Sequence, residues 1–479
     1  MYLVSSTLYL PRVMTMPFQP VFLWTDILIY VLFAAVTVFG LYVARHEHLR
    51  APWRQVLRRP LAMGALVVLL AYISVGLLDS VHFRERLSGG PETQYSPEVL
   101  SLLDKLAAPL RTRVERTYSA PFATRAYQME TVEYPDGRRM RAYPRLAHGG
   151  AHLSDPDERV ADVLRRVAAA SVVALGAWLA LVGGFVALWR GRREAFAMAL
   201  RRLARGQSEA PWRTILGTVG VLLLLVVNAV HLSAYYHIFG TDQVGQDVFY
   251  RSLKSVRTGL TIGTLTTLVM LPFALLFGIM AGYFRGWVDD IIQYIYTTLS
   301  SIPGVLLIAA AILSLQVYVA NHPESFQSIV DRADARLLFL CIILGITSWT
   351  GLCRLLRGEA FKLREIDYIQ AAQALGTSHV VVMTRHILPN VMHIVLITVV
   401  LDFSGLVLAE AVLSYVGVGV DPTMESWGNM INGARLEMAR EPMVWWSLAS
   451  AFVLMFVLVL VANLFADAVR DAFDPRLRK

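Results

Sequence analysis

The chain is 479 residues long, 56% of them hydrophobic and only 17% charged, with a mean hydropathy of +0.52. Soluble domains are typically about 45–50% apolar and about 25% charged, so this composition excludes an ordinary soluble protein and predicts a membrane protein. The net charge is +8, and the Arg residues cluster at the ends of apolar runs, at 45–59, 189–205 and 470–478. That placement favours membrane orientation over a nucleic-acid-binding surface.

Nine apolar segments are long enough to cross a membrane, which predicts an all-α polytopic membrane protein. Their expected bounds are 24–44, 60–78, 167–189, 214–234, 255–283, 289–318, 336–356, 388–416 and 446–468. Cys341 and Cys353 both belong to the seventh segment. Two buried free thiols are therefore expected, not a disulfide.

Arginine-rich loops set the expected orientation. Residues 45–59 contain five Arg, residues 190–213 contain seven, and the C-terminal tail from Arg470 to Lys479 is also basic. Such loops stay in the cytoplasm by the positive-inside rule. Nine crossings place all three on one side only if the N-terminus is outside and the C-terminus is cytoplasmic.

The polar stretch 79–166 lies outside in this topology and predicts a small α+β extracytoplasmic domain. Residues 96–98 (SPE) predict a helix start, followed by an apolar stripe that extends to Leu110. Residues 134–137 (YPDG) predict the turn of a β-hairpin. A ligand-binding role and a purely structural cap both remain open for this domain.

The expected organisation has four parts. They are two extra spans in 1–78, the outside domain 79–166, a third extra span with a basic linker in 167–213, and a six-span core in 214–479.

A charged segment of about 30 residues, 359–389, separates two apolar spans. Within it, residues 370–376 (QAAQALG) predict a short helix that ends at a glycine. Small side chains let another protein approach closely, and the glycine permits a positive φ. The residues expected to matter here are Glu359, Gln370, Ala371, Ala372, Gly376 and, at the entry to the next span, Pro389.

Two polar elements lie on the opposite side of the predicted membrane. In residues 237–247 (HIFGTDQVGQD), two glycines bracket a bend whose Asp242 and Asp247 are expected to cap backbone N–H groups. Residues 422–435 (PTMESWGNMINGAR) form the second element.

Together with GYFRGWVD at 282–289, LAEAVLSYVG at 408–417 and the C-terminal block at 463–476, these elements resemble the peptide/nickel-type permeases of ABC importers. The resemblance is to the second permease of dipeptide and oligopeptide systems, and it covers about 222–479. The departures from that family's pattern are Ile238, Gln246, Gln370 and Ala466.

The resemblance implies that 359–389 is a coupling loop that docks on a separate ATPase subunit. It implies an extracytoplasmic rim on the binding-protein side, formed by Gly240, Thr241, Asp242, Asp247, Ser426, Trp427 and Gly428. The alternatives are a structural turn at 237–247 and a simple interfacial Trp at 427.

Asp402 and Glu410 are carboxylates within one apolar span. Such groups are costly in lipid, so they are expected to face protein or water. Their spacing of eight residues puts them on roughly one helix face, which leaves open a paired site for proton relay. The resemblance implies instead that Glu410 packs at a subunit interface or near the outer mouth of the pore.

The resemblance implies a permease subunit in the bacterial inner membrane that forms half of a peptide-translocating pore. Its expected partners are a second homologous permease, two ATPase subunits, an extracytoplasmic solute-binding protein, peptide and the lipid bilayer, with no nucleic acid. No GxxxxGK[ST] or HExxH motif occurs. ATP and Mg²⁺ are therefore expected on partner subunits, with no cofactor, metal or enzymatic activity on this chain.

Three alternatives stay open. One is a permease for nickel, glycosides or opines. Another is a membrane enzyme based on Asp402 and Glu410, and the third is a sensor or scaffold that uses the outside domain.

Overall fold

The computed structural model describes residues 18–473 except 88–93, 134–138, 191–193, 209, 323, 325 and 327. The predicted hairpin turn, Arg192, Arg193 and the tail from Asp474 lie outside the described residues. Within the described part, nine helices are long and apolar enough to cross a membrane. The prediction of an all-α polytopic membrane protein is confirmed.

The helices are, in chain order, α1 (Trp24–Arg45), α2 (Glu47–Arg58), α3 (Pro60–Asp79), α4 (Leu102–Leu106), α5 (Ala108–Thr112), α6 (Arg159–Trp189), α7 (Phe196–Ala204), α8 (Trp212–Ser233), α9 (Val248–Phe284), α10 (Gly286–Ser301), α11 (Gly304–Asn321), α12 (Ile329–Arg364), α13 (Asp367–Ala374), α14 (His379–Val381), α15 (Leu388–Val416), α16 (Trp427–Glu437) and α17 (Trp446–Phe473). The strands are β1 (Phe18–Val21), β2 (His82–Glu85), β3 (Leu100–Ser101), β4 (Glu130–Glu133) and β5 (Arg139–Ala142).

The predicted span 289–318 is wrong, because the structure divides it into α10 and α11. Pro303 lies between the two helices, and Ile302 before it is extended, with ψ 128°. Proline lacks an N–H and disfavours helical geometry in the residue that precedes it, so it interrupts an otherwise continuous apolar run. Of the two pieces, α11 is the one long and apolar enough to span.

The longest helices, α9 and α12, pack closely together along their length. Gly278 and Gly282 allow this approach. A Cβ at Gly282 would lie 2.5 Å from the Arg357 carbonyl oxygen, and one at Gly278 would lie 2.9 Å from that of Cys353. Small residues four apart are typical of close helix contacts in membranes. Both cysteines are buried and free, as predicted.

Residues 79–166, called the extension domain below, join a small sheet to the helical bundle. Strands β1, β2 and β3 pair antiparallel, so β1, which precedes the first span, contributes to this sheet. The hairpin strands are confirmed as antiparallel β4 and β5. The helix start predicted at 96–98 is wrong: α4 begins at Leu102, where Ser101 and Asp104 form a capping box.

The N-terminal helices pack directly against several helices of the rest of the bundle. Helix α3 contacts α8, α9 and α17, and α6 pairs with α8. At the other end of the bundle, α2 contacts α17, and Arg59 bonds to Asp471 at 2.6 Å. The N-terminal residues and the core thus form one packed unit.

Candidate functional site

The coupling segment, residues 365–378, contains the predicted short helix as α13. The glycine stop is confirmed, since Gly376 has a φ of +80°. Its N–H donates to the Gln373 carbonyl at 3.0 Å, and the Thr377 N–H donates to the Ala372 carbonyl at 3.1 Å. These are the two bonds of a Schellman motif, which satisfies the free carbonyls at a helix end.

One side of α13 is anchored and the other side is open. Ile369 is fully buried among apolar side chains of the spans, whereas Leu375 is 87% exposed and Tyr368 is 45% exposed. Ala371 and Gln370 are exposed too. An exposed apolar surface with little side-chain bulk is typical of a protein-docking site.

Tyr283, at the end of α9, ties the coupling segment to the bundle. Its carbonyl accepts from Arg364 at 2.7 Å, and its hydroxyl lies 2.8 Å from His379 Nδ1. Gln373 donates to the same hydroxyl at 3.2 Å. The sequence analysis missed these bonds, because the tyrosine is about 90 residues from its partners in sequence.

Two residues predicted for this loop lie in longer helices. Glu359 belongs to α12, where its carboxylate is 3.2 Å from Lys362. Pro389 lies in the first turn of α15, the position predicted for it, but α14 and π-helical turns precede that turn without a break from His379. Residues 382–387 form π-helical turns just before the proline. The π-helical turns accommodate the proline, which has no backbone N–H to donate, so the helix continues through this position.

The rim loop, residues 237–247, is a tight bend in contact with the extension domain. Gly240 and Gly245 have φ of +70° and +78°. A Cβ at Gly240 would clash with the carbonyl of Ser119, and one at Gly245 would clash with that of Glu115. Glycine is therefore required at both positions for conformation and for space.

Asp242 and Asp247 make the predicted capping bonds. Asp242 accepts hydrogen bonds from two backbone N–H groups of the rim loop at 2.9 and 3.0 Å. Asp247 accepts the Tyr250 N–H at 3.0 Å and so caps α9. Both capping predictions are confirmed.

The extension domain covers the predicted rim. Thr241 is fully buried, and its hydroxyl accepts the Ser119 N–H at 2.7 Å. Asp247 is 1% exposed. A rim contact through these side chains is not available in this conformation, because residues of the extension domain occupy that side.

His237 lies between two carboxylates beneath the rim loop, 2.7 Å from Asp247 and 3.4 Å from Glu115. Burial alone would lower the pKa of His237, but bonds to the two carboxylates outweigh it and raise the pKa to about 9. Burial would raise the pKa of Glu115, but His237 and the N–H groups of residues 147–149 lower it to about 2. The pair is ionised at neutral pH.

Trp427 lies inside the protein, away from its surface. It is 1% exposed, and its indole N–H donates to the Ser252 carbonyl at 3.1 Å. Ser426 is buried and caps α16 through the Asn429 N–H. The side chain is closed to both of the surface roles considered for it in this conformation, and those roles stay predictions.

Glu410 and Asp402 do not form a pair. Glu410 is 2% exposed and accepts a hydrogen bond from Ser414 at 2.7 Å. Gly428 packs against it so closely that a Cβ there would lie 2.6 Å from the carboxylate. Asp402 is only partly buried and lies about 12 Å away along the helix. Glu410 instead joins α15 to α16.

Two cations on α9 form a charge network that the sequence analysis missed. Lys254 lies 2.7 Å from Asp104 and 3.4 Å from Asp79, and Arg257 lies 2.6 Å from Asp26. All three acids belong to the N-terminal part of the chain. The sequence did contain a signal for this network. Two basic residues lie at the start of an apolar span, and basic residues in that position need carboxylate partners. No metal-binding group of three His, Cys, Asp or Glu occurs among the described residues.

Sequence comparison with known proteins assigns the chain to a family. Residues 274–479 match the family described as binding-protein-dependent transport system inner membrane component. A glutathione transport system permease protein, GsiD of Pectobacterium atrosepticum, is 32% identical over 244 residues, which are 50% of this chain and 73% of the relative.

Two further relatives are oligopeptide transport system permease proteins named OppC. The Bacillus subtilis protein is 29% identical over 243 residues, 51% of this chain and 73% of its own length. The Mycobacterium tuberculosis protein is 31% identical over 242 residues, 50% of this chain and 77% of its own length. The chain therefore belongs to the binding-protein-dependent inner-membrane transport components, as a permease subunit of the peptide-type ABC importers.

Proposed function

We propose that this chain forms one half of the pore of an ATP-driven importer of short peptides. The observation that carries the proposal is the exposed apolar surface of α13, in a chain whose relatives are named as oligopeptide and glutathione permeases. Three kinds of subunit complete the assembly: a second homologous permease, two ATPases, and a solute-binding protein that delivers the peptide. ATP and Mg²⁺ bind to the ATPases, because this sequence has no P-loop motif.

The coupling segment docks in a groove of the ATPase. Leu375 and Tyr368 supply apolar contact, and Ala371 leaves room for the partner's surface. Movement of the ATPase is then transmitted to two membrane spans at the same time. One is α9, through the bonds of Tyr283, and the other is the long helix that starts at His379. A rigid connection of this kind lets a small displacement at the loop tilt both spans.

The proposed orientation puts the coupling segment in the cytoplasm and the extension domain outside. Arg45 and Arg59 flank α2, and the bond from Arg59 to Asp471 places this basic loop beside the end of α17. Basic residues remain on the cytoplasmic side of a membrane. The N-terminus is then outside and the C-terminus inside.

Docking is tested by co-purification from mild detergent with the products of neighbouring genes. Gly376→Asp introduces a charge into the proposed groove and should remove the ATPase. The matched control is Gly206→Asp, since Gly206 also follows a helix with a positive φ of +68° and open space around it. Both substitutions put a side chain on a residue with positive φ, so the backbone strain is the same. A difference in bound ATPase between the two variants therefore reports docking. The docking proposal fails if the two variants retain equal amounts of ATPase, or if wild type retains none.

Substrate class needs a separate experiment. The complete transporter, reconstituted in liposomes with its binding protein, is expected to accumulate labelled trialanine in an ATP-dependent manner. Uptake of nickel or of a glycoside in place of trialanine would reject the peptide proposal while leaving the permease assignment intact.

A further inference from the structure

A polar cavity of about 460 Å³ lies where the extension domain, the rim loop and α16 meet. Tyr118 comes from the extension domain and Asp242 from the rim loop, while Glu437 and Arg440 lie at the end of α16 and just beyond it. Ser447, from the start of α17, completes the wall. The cavity is therefore a composite of segments far apart in sequence.

Two buried polar atoms in this wall make no well-formed hydrogen bond among the described residues, although Ser447 and Tyr118 lie beside the Glu437 carboxylate. They are Oε2 of Glu437 and Oγ of Ser447. Glu437 is 8% exposed and Ser447 is 5% exposed. A buried carboxylate oxygen without a well-formed hydrogen bond costs free energy, so the wall is suited to a ligand that donates hydrogen bonds.

The neighbouring Arg251 is already paired with other acids and does not fill this need. Arg251 donates to Asp242 and, at 2.9 Å, to Glu425. Arg440 lies over the ring of Tyr118 at 5.0 Å. Glu437 is thus the acidic group of the wall that is left to receive a donor.

The electrostatics agree with that geometry. Burial raises the pKa of Glu437 above its ordinary value, and Asp242 adds to the effect, while Ser447, Tyr118 and Arg251 oppose it. A cation that enters the cavity would stabilise the ionised carboxylate further.

We propose that this cavity binds the α-ammonium group of a short peptide, with Glu437 and Ser447 as its acceptors. An ammonium group carries three donors and a positive charge, which match a carboxylate oxygen and a hydroxyl. Arg440, exposed at the mouth beside Tyr118, is placed to meet a carbonyl or carboxylate further along the peptide. This inference rests on the proposed peptide substrate and adds where its amino end is held.

The cavity size fits this ligand class. Pockets for small ligands are typically about 300–1,000 Å³ and combine apolar walls with a few polar groups. Val248 and Met430 supply apolar wall here. Tyr118 makes the extension domain part of the site, so the additional residues of this chain contribute to ligand recognition.

The test is peptide binding to the full chain in its complex with the co-purified subunits, in lipid nanodiscs and without the soluble binding protein. Trialanine and N-acetyl-trialanine are the two probes, measured by calorimetry. Trialanine is expected to bind at least about tenfold more tightly than N-acetyl-trialanine, because acetylation removes the charged hydrogen-bond donor. Glu437→Gln should weaken trialanine binding about tenfold and change N-acetyl-trialanine binding little. Glu441→Gln, the same change at an exposed carboxylate four residues on, should change neither.

Equal binding of the two probes to wild type would overturn the inference, and this comparison needs no variant that could misfold. Ser447→Ala provides a second, milder change that should weaken trialanine alone. The inference also falls if wild type binds neither probe. Failure of the proposed function has a different signature, since the complete transporter would then bind trialanine without accumulating it in liposomes.

Discussion

Arg257 and Asp26 form a buried ion pair at 2.6 Å between helices that are 231 residues apart in sequence. The arginine side chain is 6% exposed and the aspartate 1%. Thr25 also accepts from Arg257 at 3.0 Å and bonds to Asp334 on α12. The first helix of the chain is thereby fixed to the two longest helices of the permease core.

Asp26→Ala should destabilise the protein strongly, because it leaves Arg257 buried without its main partner. Removal of one member of a buried pair costs about 3–5 kcal/mol. The control is Glu47→Ala, which breaks the exposed pair with Arg54 and should cost less than about 1 kcal/mol. Unfolding in a detergent titration measures both. Similar losses in the free energy of unfolding for the two variants would show that the buried pair stabilises the protein no more than the exposed pair does.

Gly282→Val should loosen the packing of α9 on α12. The added carbons would meet the Arg357 carbonyl and Ala360, so the helices must separate, at a cost of about 1–3 kcal/mol or more. Gly358→Val is the matched control, because nothing lies within 4 Å of a Cβ there. Size-exclusion profiles and melting temperatures of the two purified variants compare them. A normal profile for Gly282→Val would contradict the close approach described above.

His237, which lies between Asp247 and Glu115, predicts a loss of stability at alkaline pH. The pKa of His237 rises from 6.5 to about 9 on folding, so its contribution is complete below pH 6.5 and disappears as pH rises through 9. The pKa of Glu115 falls from 4.5 to about 2, so its contribution is present above pH 4.5 and disappears as pH falls through 2. Melting temperature should therefore decrease between pH 7 and 9.5.

The His237→Gln variant tests whether His237, and not another titrating group, causes the decrease in melting temperature. The variant should melt at a lower temperature at pH 7, and its decrease between pH 7 and 9.5 should be smaller than that of wild type. Parallel pH curves for the two proteins would rule out His237 as the source.

Membrane orientation is testable with two single-cysteine replacements at exposed positions. Glu98→Cys should react with a membrane-impermeant maleimide in intact spheroplasts, and Arg54→Cys should react only after lysis. Cys341 and Cys353 are buried and serve as the silent background. The reverse labelling pattern would invert the proposed topology.

Hydropathy was enough to predict most of the membrane helices, because each long run of apolar residues marks a segment able to cross the bilayer. It predicted the ends of some helices to within a residue, as for Pro60–Asp79, but not those of the longer ones. Both α9 and α12 continue past the apolar runs through charged turns such as that of Glu359, which pack on protein and not on lipid. Pro303 and Pro389 show the other difficulty, since one proline ends a helix and the other is accommodated by π-helical turns.

The helix and glycine stop of the coupling segment were predictable, because they depend on local residues. The burial of Trp427 was not. Its site is made by Ser252, which accepts its N–H, and by Gly259, where a Cβ would lie 2.9 Å from the indole. Contacts between residues so distant in sequence leave no local pattern.

The ion pairs of α9 have a consequence for how the protein is made. Ribosomes release Asp79 and Asp104 well before Lys254, which follows Asp104 by 150 residues. A cation that enters the bilayer alone is costly, but here the carboxylates have already been synthesised when α9 leaves the translocon. We expect a chain that starts at Ala210 to insert this helix poorly in a glycosylation-mapping assay. The N-terminal residues would then act during biogenesis, by helping α9 of the same chain to insert into the membrane.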